Sequence, residues 1–342
     1  MSDLFSASRA SKIDASGIHS VYERWPSLAR EGFAVKLELP RRKVKKALVL
    51  GMGGSAAGGD IIAGWLSDRP GIEFSVIKGQ LPMVDLKGAI AVACSASGQT
   101  VETVEMLRAA VDRKATVIAI SGGGKIKEES ERLGVPHVGM PTGVKPRFML
   151  PFILFSTLAV LNRGLRLGCE DEAEEAFRAM EDEGKGVNLS VPEEANVAKR
   201  LAGMVLDKTP SIYGGRVTRG VGIRFKNVLN ENSKKHSLFG EIPEVFHNEI
   251  EAWQDSTKDF IPIFLRHTSE TEGDRAKTDM MVAVLAKRGM SPVQVSGRGG
   301  SSLQQLASMM YRLDMTSYYA AIGLGRDPNP TLLLDSIKKG AD

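Results

Sequence analysis

Lys46-Ala47-Leu48-Val49-Leu50-Gly51-Met52-Gly53-Gly54-Ser55 runs from an apolar stretch through a glycine turn into a helix-like pattern. The order repeats at Gly88-Ala89-Ile90-Ala91-Val92-Ala93-Cys94, which leads through Ser95-Ala96-Ser97-Gly98-Gln99-Thr100 into another helix-like pattern. Apolar runs this short, closed by glycine or small polar residues, read as buried strands. Phe74-Ser75-Val76-Ile77 and Thr116-Val117-Ile118-Ala119-Ile120 add two more. Strands alternating with helices predict a parallel sheet covered on both faces. From Val101 to Val111 the apolar residues share one helical face with Thr100 placed to cap it, and the helix from Ile126 to Leu133 is stopped by Gly134 and Pro136.

An apolar segment from Phe148 to Leu161 reads as a buried helix, and the acidic, glycine-interrupted stretch from Glu170 to Gly186 marks a boundary. Beyond it the grammar returns. Pro210-Ser211-Ile212-Tyr213-Gly214-Gly215 parallels the first glycine turn, Asp259-Phe260-Ile261-Pro262-Ile263-Phe264-Leu265 the strand before the serine loop, and Pro292-Val293-Gln294-Val295-Ser296-Gly297 the strand after it. The expected division is one unit over residues 22–165 and another over 190–342. Order and punctuation favour duplication of one fold over two unrelated α/β units.

The 342 residues suffice for two such cores, and 42% apolar content is that of a soluble globular chain. A net charge of +4, with basic residues interspersed among acidic ones, argues against nucleic acid as a partner. Two cysteines, Cys94 and Cys169, fit a reducing compartment. No secretory signal and no apolar run of about 20 residues is visible, so a cytoplasmic protein without a membrane partner is expected.

Ser95, Ser97 and Thr100 cluster their hydroxyls at a strand-to-helix junction, where Gly98 frees the backbone. Together with Gly53, Gly54 and Ser55 they suit a phosphomonoester, whose oxygens accept from hydroxyls, peptide N–H groups and a helix N-terminus. A serine-rich loop with a helix cap is the plainer alternative. Gly51-Met52-Gly53-Gly54-Ser55-Ala56 also satisfies the dinucleotide pattern G-x-G-x-x-A, but Val76-Ile77 runs into Lys78 where a ribose-binding acid is wanted. Cys94 has no basic neighbour in sequence and reads as a small buried hydrophobe.

Gly53-Gly54-Ser55 paired with Ser95-x-Ser97-Gly98-x-Thr100-x-Glu102-Thr103 resembles the sugar isomerase (SIS) domain. Arg224-Phe225-Lys226-Asn227-Val228-Leu229-Asn230-Glu231-Asn232-Ser233-Lys234 and Pro243-Glu244-Val245-Phe246-His247-Asn248-Glu249-Ile250-Glu251-Ala252-Trp253 look like the signature blocks of archaeal and bacterial bifunctional phosphoglucose/phosphomannose isomerases. The resemblance runs from about Tyr22 to Lys338. It implies an α/β fold of two tandem SIS domains, each a mainly parallel, flavodoxin-like sheet flanked by helices. The activity implied is interconversion of glucose 6-phosphate and mannose 6-phosphate with fructose 6-phosphate through a cis-enediolate.

By that resemblance Glu231 moves the proton between C1 and C2, work a partly buried carboxylate can do in both directions. Arg147 stabilises the enediolate with a permanent charge. His247 opens the sugar ring, reaching the site from the partner subunit of a homodimer. Lys338 assists from a C-terminal helix, with Lys339 next to it, and Thr331 falls where glucose-specific enzymes carry glutamine, leaving room for the mannose epimer. The Ser-x-Ser-Gly pattern is gone at His267-Thr268, so the second unit is expected to have lost phosphate binding.

The five histidines show no close metal-ligand spacing, and neither metal nor cofactor is expected. A non-catalytic phosphosugar sensor is the competing class, disfavoured because the segment before Lys46 is too short and too poor in basic residues for a helix-turn-helix domain. A nicotinamide oxidoreductase is weaker still.

Overall fold

Runs such as Ala47–Leu50 and Ile90–Ala93 can bury side chains on both faces only in the middle of a sheet covered twice, and they do so here. The computed structural model describes residues 4–37, 39, 44–255 and 259–339, the last two by their backbone alone. The first sheet comprises β1 (Lys46–Gly51), β2 (Glu73–Ile77), β3 (Ile90–Ser95), β4 (Thr116–Ser121) and β5 (His137–Gly139), all parallel, in the order β2-β1-β3-β4-β5. The second comprises β6 (Thr209–Gly214), β7 (Leu238–Glu241), β8 (Phe260–Arg266) and β9 (Val293–Ser296), also parallel, in the order β7-β6-β8-β9. The order β7-β6-β8-β9 repeats β2-β1-β3-β4, as the sequence echo predicts, and β5 has no counterpart among the described residues.

In such sheets the strand order reverses between the first and third strands. A crevice opens there, outside their carboxyl ends, because the following helices leave to opposite faces. The Gly51–Ser55 turn and the Ser95–Thr100 loop leave β1 and β3, which pair side by side with Gly51 opposite Cys94. The two loops identified in the sequence therefore meet at the switch point.

The acidic stretch is a full helix, Glu170–Val187, which follows the last strand of the first sheet and precedes the first strand of the second. Ala173, Ala176, Phe177 and Met180 form its buried face, and its acids lie mostly on the other side. The Phe148–Leu161 reading corresponds to a 3-10 turn, Pro146–Met149, running into a helix from Leu150 to Leu165. Residues 146–165 are long and apolar enough to cross a membrane, but 94% of their most apolar window is buried inside the protein, as a core helix.

One apolar core unites the two sheets: Val49, Val92 and Ile118 belong to the same cluster as Ile212, Ile263 and Val295. The long Ser302–Gly323 helix, opened by a Ser301/Gln304 capping box, packs into it with Tyr311, Tyr318 and Tyr319. Where the Gly54–Leu66 helix crosses the Arg219–Asn232 helix the backbones nearly touch. A Cβ on Gly220 would lie 2.4 Å from the Asp60 carbonyl oxygen. Only glycine permits that approach, and it fixes the helix behind the first loop against the helix that ends in Glu231 and Asn232.

Candidate active site

The phosphate-type loops are assembled as donors. Gly53 (φ +51°) occupies the N-cap of the Gly54–Leu66 helix with no side chain to fill it. The Ser55 and Ala56 N–H groups turn back to the Met52 and Gly53 carbonyls, and no side-chain cap competes for the Gly54 N–H. Ser55 Oγ accepts from the Ala96 N–H at 3.1 Å, joining the glycine turn to the serine loop. Ser95 Oγ donates to Thr100 Oγ1 at 3.1 Å, and Ser97 Oγ accepts from Gln99 N–H at 3.2 Å. Thr100 is the N-cap residue, but its hydroxyl makes no bond to its own helix. The capping predicted from sequence is thus positional only, and the Val101–Asp112 helix keeps its N-terminus open.

Gly98 holds this loop in shape. Its φ is +68°, and a Cβ there would fall 1.7 Å from the Gly123 carbonyl oxygen. Ile126 N–H donates to Gly98 O and Gly122 N–H to Ala96 O, bracing the loop on the turn after β4. Cys94 is fully buried at the end of β3, and burial pushes its thiol up to about 12, which suits the packing role read from sequence.

Arg147 lies beside this cradle: a Cβ on Gly54 would stand 3.4 Å from its backbone nitrogen. The guanidinium is 3% exposed. Its Nε donates to Asn232 Oδ1 at 2.8 Å, and Nη2 to the carbonyls of Pro328 and Asn329, each at 2.7 Å. Nη1 faces Glu231 Oε2 at 3.6 Å, where the carboxylate keeps 28% of its surface exposed. Burial pulls the guanidinium below its ordinary range, and Glu231 opposes that pull.

Beneath this pair lies a buried polar network. Asn232 Nδ2 donates to the Tyr22 hydroxyl at 3.1 Å and to Ser317 Oγ at 2.8 Å. Tyr22 donates to Asp314, which pairs with Arg224 at 2.6 Å, and Arg224 donates in turn to the Arg147 carbonyl at 2.6 Å. Every member is bonded, the condition under which a buried polar cluster rigidifies a site. Sequence reading named Arg147 and Glu231 but missed Asn232, Arg224 and Asp314. For Asn232 the signal was available inside the quoted Asn-Glu-Asn-Ser block.

Lys234, in the left-handed region at φ +53°, donates from Nζ to the carbonyls of Asn232 at 3.0 Å and Asp327 at 2.5 Å. Its ammonium is drawn down to about 8, first by burial and then by repulsion from Arg147. Thr331 lies just beyond the carbonyls that receive Arg147, bonded to Lys145 Nζ. Lys338 is on the terminal helix, Leu332–Lys339, with its side chain and that of Lys339 outside the described residues. His247 ends the 3-10 turn after β7 and is exposed. Among the described residues, no hydrogen bond or ion pair joins it to Glu231 or Arg147 within the chain.

A cavity of about 500 Å³ runs from Ser97 and Gly122 past Thr142 to Lys145, Pro146 and Asn329, connecting the serine loop to the Arg147 segment. The equivalent place in the second sheet is filled. There the Glu270 carboxylate accepts from His267 N–H at 2.7 Å and pairs with Arg266 at 2.8 Å, and the space beside Gly215, Ser269 and Glu270 is only about 20 Å³. A side-chain anion thus occupies the peptide donor that a bound phosphate would use. Among the described residues no three His, Cys, Asp or Glu side chains converge into a ligand set.

Residues 194–340 match the family model described as bacterial phospho-glucose isomerase C-terminal SIS domain. A bifunctional phosphoglucose/phosphomannose isomerase from Caldicellulosiruptor bescii is 31% identical over 90% of this chain and 92% of its own length. A D-glucosamine-6-phosphate 4-epimerase from Sulfolobus acidocaldarius is 31% identical over 72% of this chain and 76% of its own. Among solved structures, a glucose-6-phosphate isomerase like protein from Thermus thermophilus shares the fold, with a TM-score of 0.64 at 18% identity over 99% of both chains. The paired SIS-type sheets, the open cradle at the switch point and the extent of the first match lead to one conclusion: this chain belongs to the bifunctional phosphoglucose/phosphomannose isomerase family.

Proposed function

We propose that the chain interconverts glucose 6-phosphate and mannose 6-phosphate with fructose 6-phosphate. The observation that carries this is the Arg147–Glu231 pair. A buried guanidinium has three bonds committed to the protein and one nitrogen turned toward a partly exposed carboxylate, next to a donor-lined loop and a cavity. A sensor needs the cradle but not a base facing a cation.

In this reading Ser55, Ser95, Ser97 and Thr100, with Gly53 and the Gly54 N–H at the uncapped helix start, hold the phosphate. Glu231 takes the proton from C2 of the open-chain aldose. The electron pair forms the C1–C2 double bond, and the negative oxygen develops beside Arg147. Return of the proton to C1, with the O2 hydroxyl proton passing to O1 as the C2 carbonyl forms, gives the ketose, and return to either face of C2 gives the two aldoses. His247 of a second copy, with Lys338, serves ring opening. The exposed Leu332, Leu333 and Ile337, at 77%, 81% and 72%, and the exposed His247, which among the described residues is bonded to neither Glu231 nor Arg147, both support a homodimer. The division into units 22–165 and 190–342 and a cytoplasmic setting belong to the same proposal, which involves neither cofactor nor metal.

The test is conversion of fructose 6-phosphate by the purified chain in EDTA, with glucosamine 6-phosphate assayed alongside because of the epimerase relative. Both aldose phosphates are expected at an undiminished rate. Loss of activity in EDTA, or turnover of glucosamine 6-phosphate alone, rejects the reading.

A further inference from the structure

The Thr331 hydroxyl is engaged twice within the protein. It accepts from Lys145 Nζ and donates to Asp335 Oδ1 at 3.2 Å, while Lys145 pairs with Asp335 Oδ2 at 2.9 Å. The three side chains close a ring. Lys145 stands two residues before Arg147 and lines the same cavity as Ser97 and Asn329.

Apolar packing does not explain how Thr331 is oriented. Within the chain Leu332, Leu333 and Ile337, which follow it, are largely exposed, and the contacts its own chain makes to Thr331 are polar. Threonine has few χ1 wells, and a hydroxyl that must accept from a cation and donate to a carboxylate is confined to one of them. Without the ammonium the hydroxyl loses its donor and Asp335 its ion pair, so the ring opens and Thr331 is held by one contact in place of two.

We propose that Lys145 is a specificity-positioning residue, which fixes the rotamer of Thr331 and thereby sets the ratio in which the C2 proton returns to give glucose or mannose 6-phosphate. This rests on the isomerase reading and on the placement of Thr331 beside C1 and C2 that the family resemblance implies. Lys145 itself need not touch the sugar. A merely structural role would lower both products together, whereas a positioning role changes their ratio.

The experiment follows formation of both aldose phosphates from fructose 6-phosphate by the full chain and by Lys145→Met, Lys145→Gln, Lys145→Arg, Thr331→Val and the Lys145→Met/Thr331→Val double variant. Using Met and Gln together guards against one of them failing to fold. Both are expected to shift the product ratio by about threefold or more, with Lys145→Arg closer to the parent. In the Thr331→Val background Lys145→Met is expected to leave the ratio unchanged, since the hydroxyl it acts through is gone. An active parent whose ratio survives both substitutions overturns the proposal, as does an equal shift in the Thr331→Val background. A parent chain that converts no sugar phosphate at all overturns the isomerase reading and this one with it.

Discussion

Nη1 of Arg147 stands 3.6 Å from Oε2 of Glu231, close enough for charge attraction and too far for a strong hydrogen bond. The reason is that Nε and Nη2 are already committed to Asn232, Pro328 and Asn329. Arg147 is therefore held by the protein and not by Glu231, which leaves the carboxylate able to accept a proton beside a fixed positive charge.

Replacing Glu231 by Gln keeps the shape and removes the base. Turnover of fructose 6-phosphate is expected to fall by roughly 10²–10⁴-fold with little change in KM, since the phosphate is held elsewhere. Steady-state kinetics checks this, and a parent-like kcat would remove Glu231 from the chemistry.

Arg147→Lys preserves the charge but cannot reach Asn232 and two carbonyls at once. Buried acceptors are then left unpaired, and a stability loss of about 2–5 kcal/mol is expected in urea unfolding. Activity is expected to fall by about 10²-fold or more, because the cation is no longer aimed.

Gly98→Ala meets both a left-handed backbone and the Gly123 carbonyl. The loop must shift, at a cost of about 2 kcal/mol or more. Inorganic phosphate and sugar phosphate are both expected to bind about tenfold more weakly or worse, measurable by calorimetry.

If His247 acts across subunits, inactive Glu231→Gln and His247→Ala chains should rescue each other on mixing. Each mixed dimer regains one complete site, so random reassortment is expected to restore about a quarter of parental activity. Were both residues to work within one chain, mixing would restore nothing.

Lys234 carries a signed pH dependence. Its pKa is drawn down to about 8 in the folded chain, so the unfolded chain holds the extra proton between that value and the ordinary lysine range. Stability relative to Lys234→Met is thus expected to rise from pH 8 to pH 10 as the penalty on the charged form is relieved, by roughly 1 kcal/mol or less for a half-buried group. Arg147, Arg326 and Lys145 face the ammonium with Asp327 opposing them, so urea titrations at fixed ionic strength are the appropriate measurement.

Sequence by itself determined the parallel sheets, the glycine turn, the serine loop and the duplicated order, because strand burial and turn chemistry depend on neighbours a few residues away. It also pointed to Glu231 and His247, through their blocks. It placed a boundary at Glu170–Gly186 without showing the helix there, since acids and glycines on the outer face of a helix read as punctuation until something packs on the other face. What only the tertiary structure decided is what each charged group is bonded to. Arg147 to Asn232, Pro328 and Asn329, Lys145 to Thr331 and Asp335, and Lys234 to Asp327 join positions some 85 to 190 residues apart. Such bonds have no period and no local propensity. They exist because the crossing at Gly220 and the shared core bring the ends of separate elements to one place, where buried charges must find partners.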